Sequence, residues 1–361
     1  MARIRVLIAG GGTGGHLFPA IAIAEALRDL SPDVDVRFAG SRTGLENRLV
    51  PARGYRLYRI SVRGLYGVSL PRRLLAAARL PLAFLQSLGV LLRFRPHLVI
   101  GVGGYASGPV LATALLLGRR CVIQEQNTVP GMTNRLLGKY VRRAFVPMEG
   151  MERYFRHPLA VGSPVRREIL ALRERAEAER SVPVLLVLGG SQGAWAINRA
   201  MIAAAPLLER KGQRLRILHQ SGSAHVDAVR AGYASSRLDI HVAPFIEDMA
   251  AAYRGARLLI SRSGASAVNE IVAARRASIL IPIPGTSGDH QLQNARRMEA
   301  GGAAVVLEQQ ELSGERLAGH ILALLNDPRR VDAMEKACDA LFPGDAARRI
   351  AEECLALIHR R

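Results

Sequence analysis

The sequence predicts an α/β protein of two similar halves, each a parallel sheet covered by helices on both faces. Three observations predict this class. Short apolar runs alternate with helix-like segments through the first half, as strands joined by crossover helices do. An apolar run, a glycine-rich turn and a helix occupy Ile4 to Leu30, and the same succession returns at Val182 to Leu208. The 361 residues, 49 % hydrophobic and 22 % charged, suffice for roughly two ordered cores.

In the first half, strands are expected at 4–9, 34–39, 55–60, 97–102, 120–124 and 143–146, and helices at 17–30, 42–52, 72–93, 107–117 and 130–139. Ligands of such sheets sit beyond the carboxyl ends of the strands. The glycine turns at 10–15 and 101–104 fall there. The uncharged run Leu98 to Gly118 has membrane-spanning length, but Gly101, Gly103, Gly104, Gly108 and Pro109 divide it into strand, glycine-rich loop and buried helix. The segment 72–95 mixes Leu74, Leu75, Leu80, Leu82, Phe84, Leu85, Leu88, Leu91 and Leu92 with Arg72, Arg73, Arg79, Arg93 and Arg95. It reads equally as a core helix with solvated ends or as a helix lying in a membrane interface, arginines on anionic headgroups.

Gly162-Ser163-Pro164 ends the first half, and the charged stretch 166–180 carries no strong apolar stripe. The second half offers strands at 182–188, 214–219, 239–243, 257–261, 278–282 and 303–307, helices at 194–208 and 265–275, and a closing amphipathic helix from Ala346 to His359. The expected division is 1–162 and 163–345, with the helix 346–361 packing back onto the first domain.

Lys+Arg outnumber Asp+Glu 50 to 30, a net charge of +20, which favours anionic partners: nucleic acid, a membrane surface or phosphorylated substrates. An aromatic content of 5 % and the lack of a recognised motif argue against nucleic acid. Cys121, Cys338 and Cys354 form no CxxC pair and suggest a reduced compartment. The apolar run after Arg3 and Arg5 is too short for a signal peptide. Histidines are scattered, and no Asp-x-Asp pair occurs beyond Asp33-Val34-Asp35, so neither metal nor cofactor is expected.

Four stretches carry chemistry. Ala9 to His16 holds five glycines between a strand and a helix. Backbone N–H groups and the helix dipole there suit a phosphate, and His16 adds a group that exchanges a proton near neutrality. Gly10, Gly12 and Gly15 also fit the dinucleotide fingerprint G-x-G-x-x-G. That fingerprint wants an acid closing the second strand; the two halves end theirs Phe38-Ala39-Gly40-Ser41 and Leu218-His219-Gln220, which disfavours nicotinamide chemistry. Ser261 to Ser266 opens a second helix, and Glu270 lies about a turn and a half inside it, either holding a cis-diol or solvated. In 282–293, prolines and glycines precede Asp289, His290 and Gln291, which suit sugar hydroxyls, with Asp289 alternatively an N-cap. Gln124-Glu125-Gln126-Asn127 ends a buried strand as a ligand crevice or as an ordinary loop.

Gly11-Gly12-Thr13-Gly14-Gly15-His16 with Phe18-Pro19 resembles the opening of the MurG family, the N-acetylglucosaminyltransferases of peptidoglycan synthesis. The segments Gly103 to Pro109, Glu125 to Asn127, Gly162 to Arg166, Gly189 to Ala194, Phe245 to Met249 and Ser261 to Ala265 extend the resemblance, in order, over nearly the whole chain. It implies a GT-B glycosyltransferase architecture, two Rossmann-like domains facing across a cleft. It further implies transfer of GlcNAc from UDP-GlcNAc to the 4-hydroxyl of MurNAc-(pentapeptide)-diphospho-undecaprenol, lipid I, with inversion. By position, Thr13, Gly14, Gly15 and Asn127 would face the donor sugar, Arg166 and Ser191 the diphosphate, and Ile246 the uracil edge. Ala265, Ser266, Ala267, Val268, Asn269 and Glu270 would hold phosphate and ribose, and Gln291 the GlcNAc hydroxyls. Gly12, Gly103, Gly104 and Tyr105 would face the acceptor diphosphate, and 72–95 an anionic membrane on the cytoplasmic side of the inner membrane, where other cell-wall synthesis proteins are candidate partners. Many members have His where this chain has Gln124, which cannot act as a base; His16 becomes the expected base, with Glu125 second. Another GT-B enzyme, a lipid glucosyltransferase or UDP-GlcNAc 2-epimerase, is the alternative.

Overall fold

The computed structural model describes residues 3–62, 79–173, 182–190, 193–212, 214–285 and 289–359. Ser191, the segment 72–78 and most of the charged stretch after Arg173 lie outside the described residues. The chain forms two compact units, Met1–Arg166 with Pro343–Arg361, and Arg167–Phe342.

The first unit is built on strands β1 (Arg5–Ala9), β2 (Asp35–Ser41), β3 (Arg56–Ile60), β4 (Leu98–Gly101), β5 (Cys121–Gln124), β6 (Arg143–Val146) and β7 (Pro158–Ala160), in the spatial order β3-β2-β1-β4-β5-β6-β7, with every pairing parallel. Val6, Leu7 and Ile8 are consecutive and fully buried because helices cover both faces. The strand order reverses at β1, which pairs β2 on one side and β4 on the other, with Ala9 opposite both Ala39 and Gly101. Two loops therefore leave neighbouring strand ends at the switch point, where open α/β sheets bind ligands. Proline-led β7 is an edge strand, short and half-buried, with little apolar signal of its own.

Helix Gly14–Leu30 covers one face, and helix Ala346–His359 adds Ile350, Ala351 and Cys354 to the same core as Leu17, Ile21 and Val161. Helix Leu80–Phe94 covers the other face through Ala83, Ser87, Leu91 and Phe94, a stripe at helical spacing. Its outer side stays apolar as well: Leu82, Leu85 and Leu92 are 48, 65 and 51 % exposed. It ends at Arg95, left-handed at φ 51, just before Pro96. Among the described residues no helix is long and apolar enough to cross a membrane.

The second unit repeats the plan with β8 (Val184–Leu188), β9 (Arg216–Gln220), β10 (Asp239–Ala243), β11 (Ala256–Ser261), β12 (Ser278–Leu280) and β13 (Ala304–Val306), ordered β10-β9-β8-β11-β12-β13, again parallel. Helix Trp195–Arg210 follows β8 and buries Ile197, Met201, Ala204 and Leu208 against the sheet. Helices Met249–Gly255, Gly314–Leu325 and Pro328–Leu341 are capped by Asp248, Ser313 and Asp327, each accepting a backbone N–H three residues on.

Candidate active site

In the first unit the loops after β1 and β4 pack backbone on backbone. Gly10, Gly11 and Gly12 take φ of +147, +132 and +90, and Gly103 and Gly104 take +87 and +81. A Cβ on Gly10 would lie 2.3 Å from the Gly103 carbonyl oxygen, and one on Gly104 would lie 2.3 Å from that of Gly11. Only glycine permits this conformation and this approach. The two turns are thus fused into a single platform, from which helix Gly14–Leu30 starts with neither a side-chain cap nor an acid in its first turn.

Beneath it lies Glu46, fully buried at the start of helix Glu46–Ala52. One carboxylate oxygen accepts Gly12 N–H at 2.8 Å; the other accepts Ser41 N–H and the Ser41 hydroxyl, both at 2.7 Å. A Cβ on Gly11, Gly40 or Gly44 would collide with this side chain. The Gly12 amide, which sequence reasoning offers to a bound phosphate, is therefore engaged by the protein's own carboxylate. Sequence reasoning misses Glu46, whose partners come from two different strand ends.

His16 stands at the junction of the turns, half-buried, its ring against Gly103. Its Nδ1 lies 3.0 Å from the Val102 carbonyl oxygen and 2.6 Å from the Gln126 carboxamide. The carbonyl can only accept, so Nδ1 carries the proton and Nε2 is the basic atom. Gln126 then completes the site with its oxygen toward Nδ1, the orientation that also gives its otherwise unpartnered buried Oε1 a donor. Burial holds the His16 pKa below the ordinary 6.5, opposed by the nearby Glu125 charge and by the Val102 and Gln126 contacts.

Glu125 behaves differently. It is 1 % exposed, and its oxygens accept from the Asn127 backbone and side chain, from Gly131 N–H and from Asn134 Nδ2, at 2.9 to 3.0 Å. Four donors saturate the carboxylate, so this arrangement fixes the loop carrying Asn127 and speaks against the sequence reading of Glu125 as a second base. Gln124 is fully buried, and its carboxamide has no hydrogen-bond partner among the described residues. Arg166 closes the unit, its guanidinium 4.3 Å over the Phe18 ring. Thr13 and Tyr105 are exposed, Gly14 and Gly15 half-buried.

In the second unit, Gly190 and Gly193 take φ of +77 and +79 in the turn after β8, and a Cβ on Gly193 would lie 2.4 Å from the Ser221 carbonyl oxygen. Gln220 ties the next strand end to this turn: its Nε2 donates to Gly190 O and its Oε1 accepts Ile246 N–H at 2.9 Å. The Ile246 amide expected at a uracil edge is thus held by Gln220. Behind it His219, fully buried between Tyr233 and Asn198, has its pKa pushed down to about 4 by burial.

Helix Ala265–Ala273 begins at Gly264 without a side-chain cap or a first-turn acid, leaving its positive end uncompensated. Ser266, Ala267, Val268 and Asn269 are half-exposed on its first turns, and Ala265 is buried. Glu270 is 7 % exposed and accepts from the Tyr253 hydroxyl at 3.3 Å, so it is no solvated helix residue. The loop before helix His290–Ala300 is anchored to the same turn: Ser263 Oγ donates to the Gln291 carbonyl, Asn294 to the Ser263 carbonyl, and Gln291 Oε1 accepts Ile283 N–H. Asp289 occupies the N-cap position of that helix, but in the left-handed region at φ 47, and its carboxylate makes no capping bond, which corrects the N-cap reading. Among the described residues no cluster of three or more His, Cys, Asp or Glu converges as a metal site.

Comparison with known proteins covers both units. Residues 6–146 match the Glycosyltransferase family 28 N-terminal domain and residues 184–350 the Glycosyltransferase family 28 C-terminal domain. The UDP-N-acetylglucosamine--N-acetylmuramyl-(pentapeptide) pyrophosphoryl-undecaprenol N-acetylglucosamine transferase of Anaeromyxobacter dehalogenans is 43 % identical, over 99 % of this chain and 94 % of its own. The Myxococcus xanthus enzyme of the same name is 41 % identical over 98 % and 93 %. The crystal structure of Acinetobacter baumannii MurG superposes with a TM-score of 0.75 at 31 % identity, covering 98 % of this chain and 99 % of that one. The calicheamicin glycosyltransferase CalG4, at 15 % identity and a TM-score of 0.68 over 100 % and 99 %, shares the GT-B fold alone. With a family model on each half and relatives 41 and 43 % identical over nearly the whole chain, the chain belongs to the MurG family of UDP-GlcNAc-dependent glycosyltransferases.

Proposed function

We propose that this protein transfers GlcNAc from UDP-GlcNAc to the 4-hydroxyl of lipid I, forming lipid II with inversion at the anomeric carbon. The observation that carries the reading is His16, tautomer set by the Val102 carbonyl, at the junction of two fused glycine turns in a chain 43 % identical to a transferase of that name. The acceptor 4-oxygen attacks the anomeric carbon as the bond from that carbon to the UDP phosphate oxygen breaks. The hydroxyl proton passes to His16 Nε2, a general-base step worth roughly 100-fold or more. Glu125 acts as a positioning group for Asn127 rather than as a base.

On this reading Gly103, Gly104 and Tyr105 meet the acceptor diphosphate, and Gly12 shapes the turn through Glu46 rather than donating its amide. Thr13, Gly14, Gly15 and Asn127 contact the donor sugar. Arg166 and Ser191 take the donor diphosphate, and Ile246 borders the uracil. The Ala265 to Glu270 segment receives phosphate and ribose, with Gln291 on the GlcNAc hydroxyls. The uncapped start of that helix supports a phosphate there.

The exposed Leu82–Leu85–Leu92 stripe, with Arg79, Arg93 and Arg95 around it, is the face that docks peripherally on the anionic cytoplasmic leaflet of the inner membrane. Each arginine near that surface contributes on the order of 1 kcal/mol. The test of the chemistry is the anomeric configuration of the product: proton NMR of the disaccharide formed from α-linked UDP-GlcNAc and a soluble lipid I analogue reads a β linkage. An α linkage contradicts single displacement.

A further inference from the structure

A cavity of about 240 Å³ opens in the first unit among Val62, Phe84, Tyr105, Ala112, Met132 and Leu136, between helices Leu80–Phe94, Ser107–Leu116 and Met132–Leu137. Its lining is apolar almost throughout. Of its hydroxyl-bearing residues Ser61, Tyr105 and Thr133, Ser61 donates its N–H to Gln86 Oε1 and accepts from Gln86 Nε2 at its hydroxyl oxygen. Two features of the wall stand out. Tyr105, 47 % exposed, is the residue next to Gly104, whose backbone rests on Gly11. Phe84, Met132 and Leu136 are 38, 56 and 66 % exposed, and Phe84 shares its helix with exposed Leu82 and Leu85. The cavity is thus lined both by the residue that follows the glycine turn and by residues of the apolar outer face.

We propose that this cavity binds the first isoprene units of the acceptor's polyprenyl chain, drawing them out of the bilayer while the diphosphate sits on the glycine turns. The proposal rests on the reading of those turns as the acceptor diphosphate site. In a polyprenyl diphosphate the first isoprene is bonded directly to the diphosphate, so a chain leaving Gly103 and Gly104 meets Tyr105 first. At about 240 Å³ the cavity takes a short stretch of chain, its first units, and not a whole polyprenyl tail. Such a chain has no hydrogen-bonding group, which suits a wall that is apolar almost throughout. The site gives the acceptor specificity for an allylic, branched chain over a straight acyl chain of the surrounding lipid.

The test is titration calorimetry of the full chain with farnesyl diphosphate, inorganic diphosphate and dodecyl phosphate, beside flotation on anionic phospholipid vesicles. Ala112 is half-buried against the cavity, so Ala112→Phe fills it without entering the core; Ala112→Leu is the milder version should the first melt early. Wild type binds farnesyl diphosphate at least tenfold more tightly than inorganic diphosphate or dodecyl phosphate. Either filled variant loses that tenfold preference while keeping its affinity for inorganic diphosphate and its vesicle binding. Equal farnesyl diphosphate affinity in wild type and both variants overturns the proposal, as does equal binding of dodecyl phosphate, which makes the cavity a general lipid site. Loss of inorganic diphosphate binding in wild type itself instead overturns the reading of the glycine turns on which the proposal stands.

Discussion

Glu46→Gln separates a structural glutamate from one that organises the acceptor turn. The wild-type carboxylate offers one oxygen to Gly12 N–H and the other to Ser41 N–H and Oγ–H. A carboxamide keeps the shape and only one oxygen. Its cheapest orientation leaves the oxygen on Ser41, where two donors converge, and turns NH2 against Gly12 N–H. The loss is one charge-assisted bond, with two N–H donors left facing each other at an exposed glycine, about 1.5–3 kcal/mol. For a unit of this size each kcal/mol lowers the melting temperature by roughly 2–4 °C. The Gly12 turn, freed from its anchor, presses on Gly104 through the Gly11 carbonyl. The acceptor kcat/KM then falls about 10- to 100-fold, equivalent to about 1.4–2.8 kcal/mol. UDP binding, assigned to Arg166 and to residues of the second unit and not to the Gly12 turn, is unaffected. Steady-state kinetics with the lipid I analogue varied, together with calorimetric UDP titration, read the two halves separately. An acceptor kcat/KM within twofold of wild type would refute the reasoning, and so would an equal loss of UDP affinity.

His16→Ala should lower kcat by roughly 100-fold or more. Because burial lowers the His16 pKa, the neutral base is populated above a pKa below 6.5: kcat/KM rises with pH up to that value and is flat above it. Gln126→Glu puts a carboxylate beside Nδ1 and should move the acid limb to higher pH; an unmoved limb would separate Gln126 from the base. His219 makes a stability prediction. Above pH 6.5 it is neutral folded and unfolded; below, the unfolded chain takes up a proton that the buried ring refuses until about pH 4. Stability drops by about 1.4 kcal/mol per pH unit across that window, about 3 kcal/mol in all. Urea melts of His219→Gln should lose that part of the slope, and parallel slopes would contradict it. Glu270→Ala should weaken UDP binding about tenfold, with 2′-deoxy-UDP losing less; unaltered UDP affinity would remove Glu270 from the ribose.

Much of the architecture is legible in the residues, for identifiable reasons. Buried parallel strands leave unbroken apolar runs, so β1, β4, β5, β8 and β11 stand out. The glycine turns stand out because positive φ and close approach admit no other residue. Edge strand β7 is too short to carry a pattern. Ser313 and Asp327-Pro328 are cap signals for two helices that the apolar pattern alone does not delimit. At the site, local cues run out where partners come from afar. Glu46 is one glutamate in a polar helix until β2 and the Gly12 turn meet over it. Gln126 is one of four polar residues at a strand end, and its partner His16 lies 110 residues away. Glu125 is a candidate base by residue type alone. Only the donors from Asn127, Gly131 and Asn134 show that its lone pairs are already engaged. The helix Leu80–Phe94 reads as either core or interface because it has apolar residues for both faces.

The central claim is a glycosyl transfer to a lipid-linked acceptor, and the most direct measurement follows the sugar. Purified protein is incubated with UDP-[14C]GlcNAc and a lipid I analogue, with UDP-[14C]glucose as the control donor, and label is counted in the lipid fraction. Label from UDP-GlcNAc and not from UDP-glucose, abolished by His16→Ala, is the predicted result. Label that stays out of the lipid while UDP accumulates beside free N-acetylhexosamine, as a 2-epimerase would leave it, would contradict the account.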